Sequence, residues 1–178
     1  MDSQKIGIII GTNRKDSLSK AVANYYKKIL INQGAEPQLI DLSQLPEDFA
    51  FSALYQNSGH NQEFNEFQLL IDGIEKFVFI VPEYNGSFPG VLKTFFDGLR
   101  YPDTFDDKKA ALLGISAGVL GNAVGLGHLN DILSYMGANV LGLRVKLGLV
   151  NSHFKDDEFT LPVYREFIEK QAKQLLNF

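Results

Sequence analysis

The stretch from Lys5 to Asn32 constrains the fold more than any other part of the chain. Ile6-Gly7-Ile8-Ile9-Ile10 holds four isoleucines in five residues, a β-branched run suited to a strand buried on both faces. Gly11-Thr12-Asn13-Arg14-Lys15-Asp16-Ser17 follows it with turn-forming residues. Leu18, Val22, Tyr25, Ile29 and Asn32 then recur at steps of three and four, so Leu18 to Ile29 forms one apolar helix face. Ser17 or Asp16 supplies the N-cap. A buried strand feeding a helix through a short polar loop brings free N–H groups and the positive end of the helix dipole to one point, where anions bind. Thr12, Ser17 and Ser19 add hydroxyls, and Arg14 adds a planar guanidinium matched to phosphate oxygens. The stretch reads as a phosphate cradle; its plainer reading is a surface turn whose Ser and Asp only cap a helix.

The same alternation runs through the rest of the chain. Gly34 stops the first helix, and Pro37 to Leu42 reads as a second strand. Residues 43 to 60 read as an irregular surface excursion. Phe64, Phe67, Ile71 and Ile74 mark a second helix, and Phe77-Val78-Phe79-Ile80-Val81 a second fully buried strand, stopped by Pro82. Val91, Leu92, Phe95, Phe96 and Leu99 mark the helix after Pro89. Ala110 to Ile115 is the next buried strand, Leu129, Ile132, Leu133 and Met136 the next helix, and Asn139 to Leu143 the last core strand. Tyr164, Phe167, Ile168, Ala172 and Leu175 line a closing helix. Five strand–helix alternations without a repeat or linker predict a single α/β domain over residues 1–178, a doubly wound five-stranded parallel sheet with helices on both faces.

Composition excludes several function classes. At 178 residues the chain suits one well-buried core and is short for two. A net charge of −4 offers no broad electrostatic footprint for nucleic acid. No apolar run approaches the ~20 residues of a membrane span, and no basic-then-apolar signal opens the chain, so a cytoplasmic location without membrane contact is expected. The absence of cysteine removes disulfides, thiolate metal sites and cysteine nucleophiles. His60, His128 and His153 lie far apart without metal-ligand spacing, so no metal site is expected.

Three loops carry the chemistry: 11–17, 82–90 and 116–122. Each follows a buried strand, so all three fall at the carboxyl edge of the sheet, where ligands of such folds bind. In Pro82-Glu83-Tyr84-Asn85-Gly86-Ser87-Phe88-Pro89-Gly90, Tyr84 can stack, Asn85 can hydrogen-bond, and Gly86 and Gly90 allow close backbone approach. A planar, polar-edged heterocycle fits there, although the loop alone also reads as an ordinary turn with a half-buried Tyr84. Ser116-Ala117-Gly118-Val119-Leu120-Gly121-Asn122 exposes N–H groups that could meet the far edge of that ring, or simply turns a strand into a helix.

Gly11 to Ser19, Pro82 to Lys93 and Ser116-Ala117-Gly118 together resemble the NADPH-dependent FMN reductase family, flavodoxin-like proteins that include quinone, chromate and azo reductases. The similarity keeps the motif order, spans nearly the whole chain and is most specific in the middle motif. The resemblance implies that Gly11, Thr12, Arg14, Ser17 and Ser19 hold the FMN phosphate. It implies that Pro82, Glu83, Tyr84, Asn85 and Gly86 line the isoalloxazine, with Ser116 and Gly118 beyond it. Two positions depart from the family pattern, Thr12 for Ser and Ser19 for Asn, and both keep a hydrogen-bonding side chain. Asp97-Gly98 stands where an Asp-Trp-like pair is usual, which alters the approach for the nicotinamide.

The implied activity is reduction of bound FMN by NADPH or NADH, followed by electron transfer to a small acceptor such as a flavin, quinone, azo compound or metal oxyanion. The protein supplies orientation and electrostatics while FMN carries the redox chemistry, and no catalytic side chain is identified. Family members are usually dimers or tetramers. Phe95, Phe96, Tyr101 and Phe105 are expected to concentrate aromatic surface near such an interface and near the flavin.

Two alternatives compete. A flavodoxin-type carrier would bind FMN without oxidising nicotinamides; Arg14 and the modest net charge weigh against it. A hydrolase would use Gly114-Ile115-Ser116-Ala117-Gly118, which matches the G-x-S-x-G nucleophile elbow, with Asp131 and His153 completing a triad. In that reading Asp131 falls inside a helix and the loop at 11–17 has no purpose.

Overall fold

The structure is a computed structural model that describes residues 4–178, so the first three residues of the expected 1–178 domain lie outside the described residues. Strands β1 (Lys5–Ile10), β2 (Glu36–Asp41), β3 (Lys76–Pro82) and β4 (Lys109–Ile115) pair in parallel. The sheet runs β2-β1-β3-β4-β5, where β5 (Asn139–Val140) shares its position beside β4 with β6 (Val145–Leu147). The chain steps one way from β1 to β2 and the other way from β1 to β3. The topological switch point, where ligands of such folds bind, therefore lies between β1 and β3.

Alternation along each buried strand divides the core in two. Ile6, Ile8, Ile10, Val78, Ile80, Ala111, Leu113 and Ile115 face α1 (Leu18–Asn32) and α7 (Pro162–Leu176). Ile9, Phe77, Phe79, Val81, Ala110 and Leu112 face the other layer, α3 (Gln62–Asp72), α4 (Gly90–Gly98) and α5 (Ala123–Tyr135). The period of two places every second residue on one face, and helices on both faces require apolar residues on both.

The structure corrects the expectation for the last strand. Asn139 to Leu143 is not one strand: Lys109 faces Asn139 but Leu113 faces Val145, so the edge strand carries two extra residues between its halves. Buried Gln171 of α7 spans the break, its Nε2 donating to Leu112 O at 2.9 Å and Leu143 O at 2.7 Å. Tyr26 Oη donates to Gln171 Oε1 at 3.3 Å. The side chain thus supplies donors at carbonyls near the interruption, where an unpaired group would cost about 1–3 kcal/mol.

The excursion at 43–60 is less irregular than expected. It contains α2 (Phe49–Ser52) and short 3₁₀ turns at Leu42–Gln44 and Tyr55–Asn57, and it buries Leu45, Phe49, Ala53 and Leu54 over the α3–α4 layer. After β6 the chain forms α6 (Val150–His153) and a hairpin of β7 (Phe154–Lys155) and β8 (Glu158–Phe159), whose phenylalanines pack edge-on against Tyr25.

The aromatic residues after α4 are also corrected. Phe95, Phe96 and Phe105 are core, not surface. Phe105 meets Phe77 at 5.5 Å and Phe96 at 5.6 Å, and Phe95 meets Phe64 at 5.9 Å between ring centroids. Such pairs contribute about 0.5–1.5 kcal/mol each beyond area burial. Only Tyr101 of the expected four is exposed.

Candidate active site

The loop after β1 gathers amides without acceptors at the start of α1. Gly11 N–H donates to Ile80 O at 2.9 Å, holding the loop on the end of β3. Ser17 caps α1, its hydroxyl accepting from Lys20 N–H at 3.3 Å. Among the described residues the N–H groups of Asn13, Lys15 and Asp16 meet no acceptor, and those of Leu18 and Ser19 are first-turn donors of α1. Arg14 is exposed and makes no ion pair among the described residues. Ser19 is buried at the start of α1. Unpaired amides, a helix N-terminus and a guanidinium suit a phosphate, so these residues fit the group that the resemblance implies.

Thr12 departs from a simple role at that loop. Its hydroxyl is buried, sits 2.9 Å from Tyr84 Oη and accepts from Arg14 N–H at 3.3 Å. It therefore joins the loop after β1 to the loop after β3.

The loop at 82–90 is a tight hairpin turn. Tyr84 N–H donates to Ser87 O at 2.9 Å and Ser87 N–H returns to Tyr84 O at 3.1 Å. Asn85 and Gly86 between them have φ of 50° and 75°, the left-handed pair of a type I′ turn, for which Asn-Gly is the favoured sequence. Asn85 and Gly86 are exposed at its tip, and the Tyr84 ring is partly exposed beside them. Glu83 N–H donates to Ile115 O at 3.0 Å, so the stem continues the β3–β4 ladder beyond Pro82.

The loop at 116–122 is locked to β6. Ser116 N–H donates to Leu147 O at 3.1 Å, Leu149 N–H to Gly118 O at 2.7 Å, and Val150 N–H to Ser116 O at 3.0 Å. Gly121 has φ of 56°, and a Cβ there would lie 2.6 Å from Lys146 C, so no other residue fits without strain. Gly118, by contrast, faces open space. Ser116 Oγ donates to Gly118 O at 2.8 Å and accepts from Gly121 N–H at 2.9 Å. Its hydroxyl is committed to the turn.

That geometry disposes of the hydrolase. Asp131 lies on α5 beside Tyr135 and Met136, in the α3–α5 layer. His153 packs edge-on to Tyr164, 6.0 Å between ring centroids, and Tyr164 belongs to the opposite layer. The sheet stands between the two, and neither residue is bonded to Ser116.

Sequence reasoning passed over two groups at this edge. Asn122, fully buried, donates through Nδ2 to Val81 O at 3.3 Å and Pro82 O at 3.1 Å, while its N–H reaches Glu83 Oε2 at 3.2 Å. It joins the second loop to the third as Thr12 joins the first to the second. Ser87 Oγ lies 2.9 Å from Nδ1 of His128 on α5. Both contacts span about forty positions, and a sequence motif carries no sign of them.

Strand order defines the class: a flavodoxin-like α/β protein whose strand order reverses at β1, between β2 and β3. Its catalytic character follows from its relatives. Residues 4–149 match the NADPH-dependent FMN reductase family, and the chain belongs to it. It is an FMN-dependent NAD(P)H oxidoreductase, which sets the carrier alternative aside. The chain is 25% identical over 179 residues to a 2-hydroxy-1,4-benzoquinone reductase from a Burkholderia species, covering 97% of this chain and 90% of that one. It is 31% identical over 146 residues to a quinone reductase from Escherichia coli K12, covering 78% and 75%. The flavoenzyme NAD(P)H:(acceptor) oxidoreductase FerB of Paracoccus denitrificans superimposes with a TM-score of 0.81 at 21% identity over 98% of this chain and 96% of that one, a likeness of fold.

Proposed function

We propose that this oxidoreductase reduces a small, planar, largely apolar acceptor of quinone type. The observation that carries the proposal is the pair of ties, Thr12 to Tyr84 and Asn122 to Glu83, that gathers an anion loop, an aromatic turn and a glycine-rich turn at one sheet edge. Gly11, Thr12, Arg14, Ser17 and Ser19 hold the FMN phosphate. Pro82, Glu83, Tyr84, Asn85 and Gly86 line one side of the ring, and the turn shaped by Ser116 and Gly118 lines the other. FMN, when bound, supplies the two-electron chemistry that no side chain here can perform. The N–H groups of Asn85 and Gly86, which meet no acceptor among the described residues, would stabilise negative charge on the reduced ring. Exposed Val119, Leu120 and Val124 on the third loop and the first turn of α5 favour an apolar acceptor over a metal oxyanion, and two relatives are quinone reductases.

Self-association belongs to the same proposal. Tyr55, Tyr101 and Tyr135 are exposed around a groove of about 720 Å³ floored by Phe96, Leu99, Ile132 and Met136. A second copy covering this face gives a homodimer, or two such dimers a homotetramer, acting in the cytoplasm as one FMN-binding unit per chain of 178 residues. Among the described residues no helix is long and apolar enough to cross a membrane.

The test is the visible spectrum of the purified protein after FMN addition and desalting. Retained flavin bands that bleach with NADPH or NADH and return on adding a benzoquinone, faster than on adding chromate, support the reading. A colourless protein unable to retain FMN overturns it. Sedimentation as a monomer at micromolar concentration overturns the association.

A further inference from the structure

The Asn85–Gly86 turn projects from the sheet edge on a stem of two residues, Tyr84 and Ser87. Each stem residue is tied by a side-chain hydroxyl to a different element. Tyr84 Oη meets Thr12 Oγ1 at 2.9 Å, on the loop leaving β1. Ser87 Oγ meets His128 Nδ1 at 2.9 Å, one turn inside α5 from the point where the helix and the stem touch. That touching point is close: a Cβ at Gly125 would lie 2.6 Å from Ser87 C and 2.7 Å from Phe88 N. The tip between the ties is free, since a Cβ at Gly86 would have no neighbour within 4 Å. A projecting turn guyed on two sides keeps one orientation; with one tie cut it can pivot about the other.

We propose that His128, acting through Ser87, is a positioning residue that fixes the orientation of the Asn85–Gly86 turn and thereby the grip of the protein on the flavin ring. The proposal rests on the assignment of that turn to the ring. His128 lies outside every motif of the family resemblance, and its imidazole is exposed, so its removal disturbs little of the core. Only Nδ1 is used. Asparagine carries a polar atom at the same distance from the backbone, so His128→Asn can rebuild the tie, whereas His128→Ala cannot.

Two measurements on the full chain test this. The first is hydrogen exchange of the Tyr84 and Ser87 amides in flavin-free protein, which are protected by their mutual bonds across the turn. Exchange is expected to quicken about two- to tenfold in His128→Ala, the range carried by one net hydrogen bond, and to return toward wild type in His128→Asn. The second is FMN affinity by flavin fluorescence. His128→Ala and Ser87→Ala are each expected to weaken it about two- to tenfold, and the double variant no further, because both remove one bond. Unchanged exchange in His128→Ala overturns the proposal, as does quickened exchange with FMN affinity within twofold of wild type. Full additivity of the two single variants also overturns it. A wild-type chain unable to hold FMN sinks the reading of the site instead, and the exchange measurement judges the tie in either case.

Discussion

The hydroxyls of Thr12 and Tyr84 meet at 2.9 Å across the switch point between β1 and β3. One belongs to the loop that carries the anion donors, the other to the turn that carries the aromatic ring. In the proposed site this bond fixes the spacing between the phosphate loop and the aromatic turn in the ligand-free protein, and such preorganisation lowers the ordering cost of binding.

Tyr84→Phe keeps the ring and removes this bond. FMN affinity is expected to fall about two- to tenfold, the worth of one net hydrogen bond, and Tyr84→Ala to cost distinctly more because stacking area is also lost. Titration of flavin fluorescence measures both. Equal losses in the two variants would show that the ring contributes nothing beyond its hydroxyl.

Arg14 is exposed and unpaired among the described residues, so its side chain stabilises the fold little. A charge-assisted bond to phosphate contributes about 1.5–3 kcal/mol. Arg14→Ala is therefore expected to weaken FMN retention about ten- to a hundredfold while the thermal midpoint of the flavin-free chain stays within about 2 °C. Unchanged flavin occupancy after desalting would refute the assignment of Arg14 to the phosphate.

Ser116 holds its own turn through Gly118 O and Gly121 N–H. Ser116→Ala leaves that N–H without its partner, and a loss of about 1–3 kcal/mol in urea unfolding is expected. Reductase turnover is expected to persist in the variant, and neither protein is expected to hydrolyse esters. Ester hydrolysis by wild type that vanishes in Ser116→Ala would falsify this account of the turn.

Asp72 answers to pH. Arg100 grips it with Nη1 and Nη2, each at 3.0 Å, and these bonds hold its carboxyl below the usual carboxylate range. A carboxyl lowered on folding stabilises the protein above its unfolded value of about 3.9, and that contribution fades as pH falls through the lower folded value. Asp72→Asn is expected to flatten the decline of the urea midpoint between about pH 5 and pH 2. At pH 7 the change is small, about 0.2–1 kcal/mol, because the pair faces solvent. An acid slope identical to wild type would remove Asp72 from the account.

The parts of the fold that could be read from the chain are those dictated by local pattern. β1, β3 and β4 are buried on both faces, so their apolar runs stand out, and the Asn85–Gly86 turn follows from its two residues alone. The break between β5 and β6 could not be read, because the residue that makes it tolerable, Gln171, is remote in sequence. Phe95, Phe96 and Phe105 were misplaced for a related reason: a cluster of rings beside a loop has the same composition whether it packs inward or outward, and only Tyr101 stays outside. At the candidate site, residue types marked out three loops that the structure brings to one sheet edge. They could not reveal that Thr12 and Asn122 tie the loops together, or that His128 reaches Ser87, since such bonds depend on the relative placement of helices and strands.

Both borders of the sheet end in features hostile to further strands. On one side Pro37 removes an amide donor from β2, and on the other the two-residue offset between β5 and β6 interrupts the ladder. A strand from another molecule would find no uninterrupted row of donors and acceptors to zip against. Growth of the folded sheet from chain to chain is thereby discouraged. A contact between folded copies would then run through the helical layers, where side chains rather than backbone decide the partner.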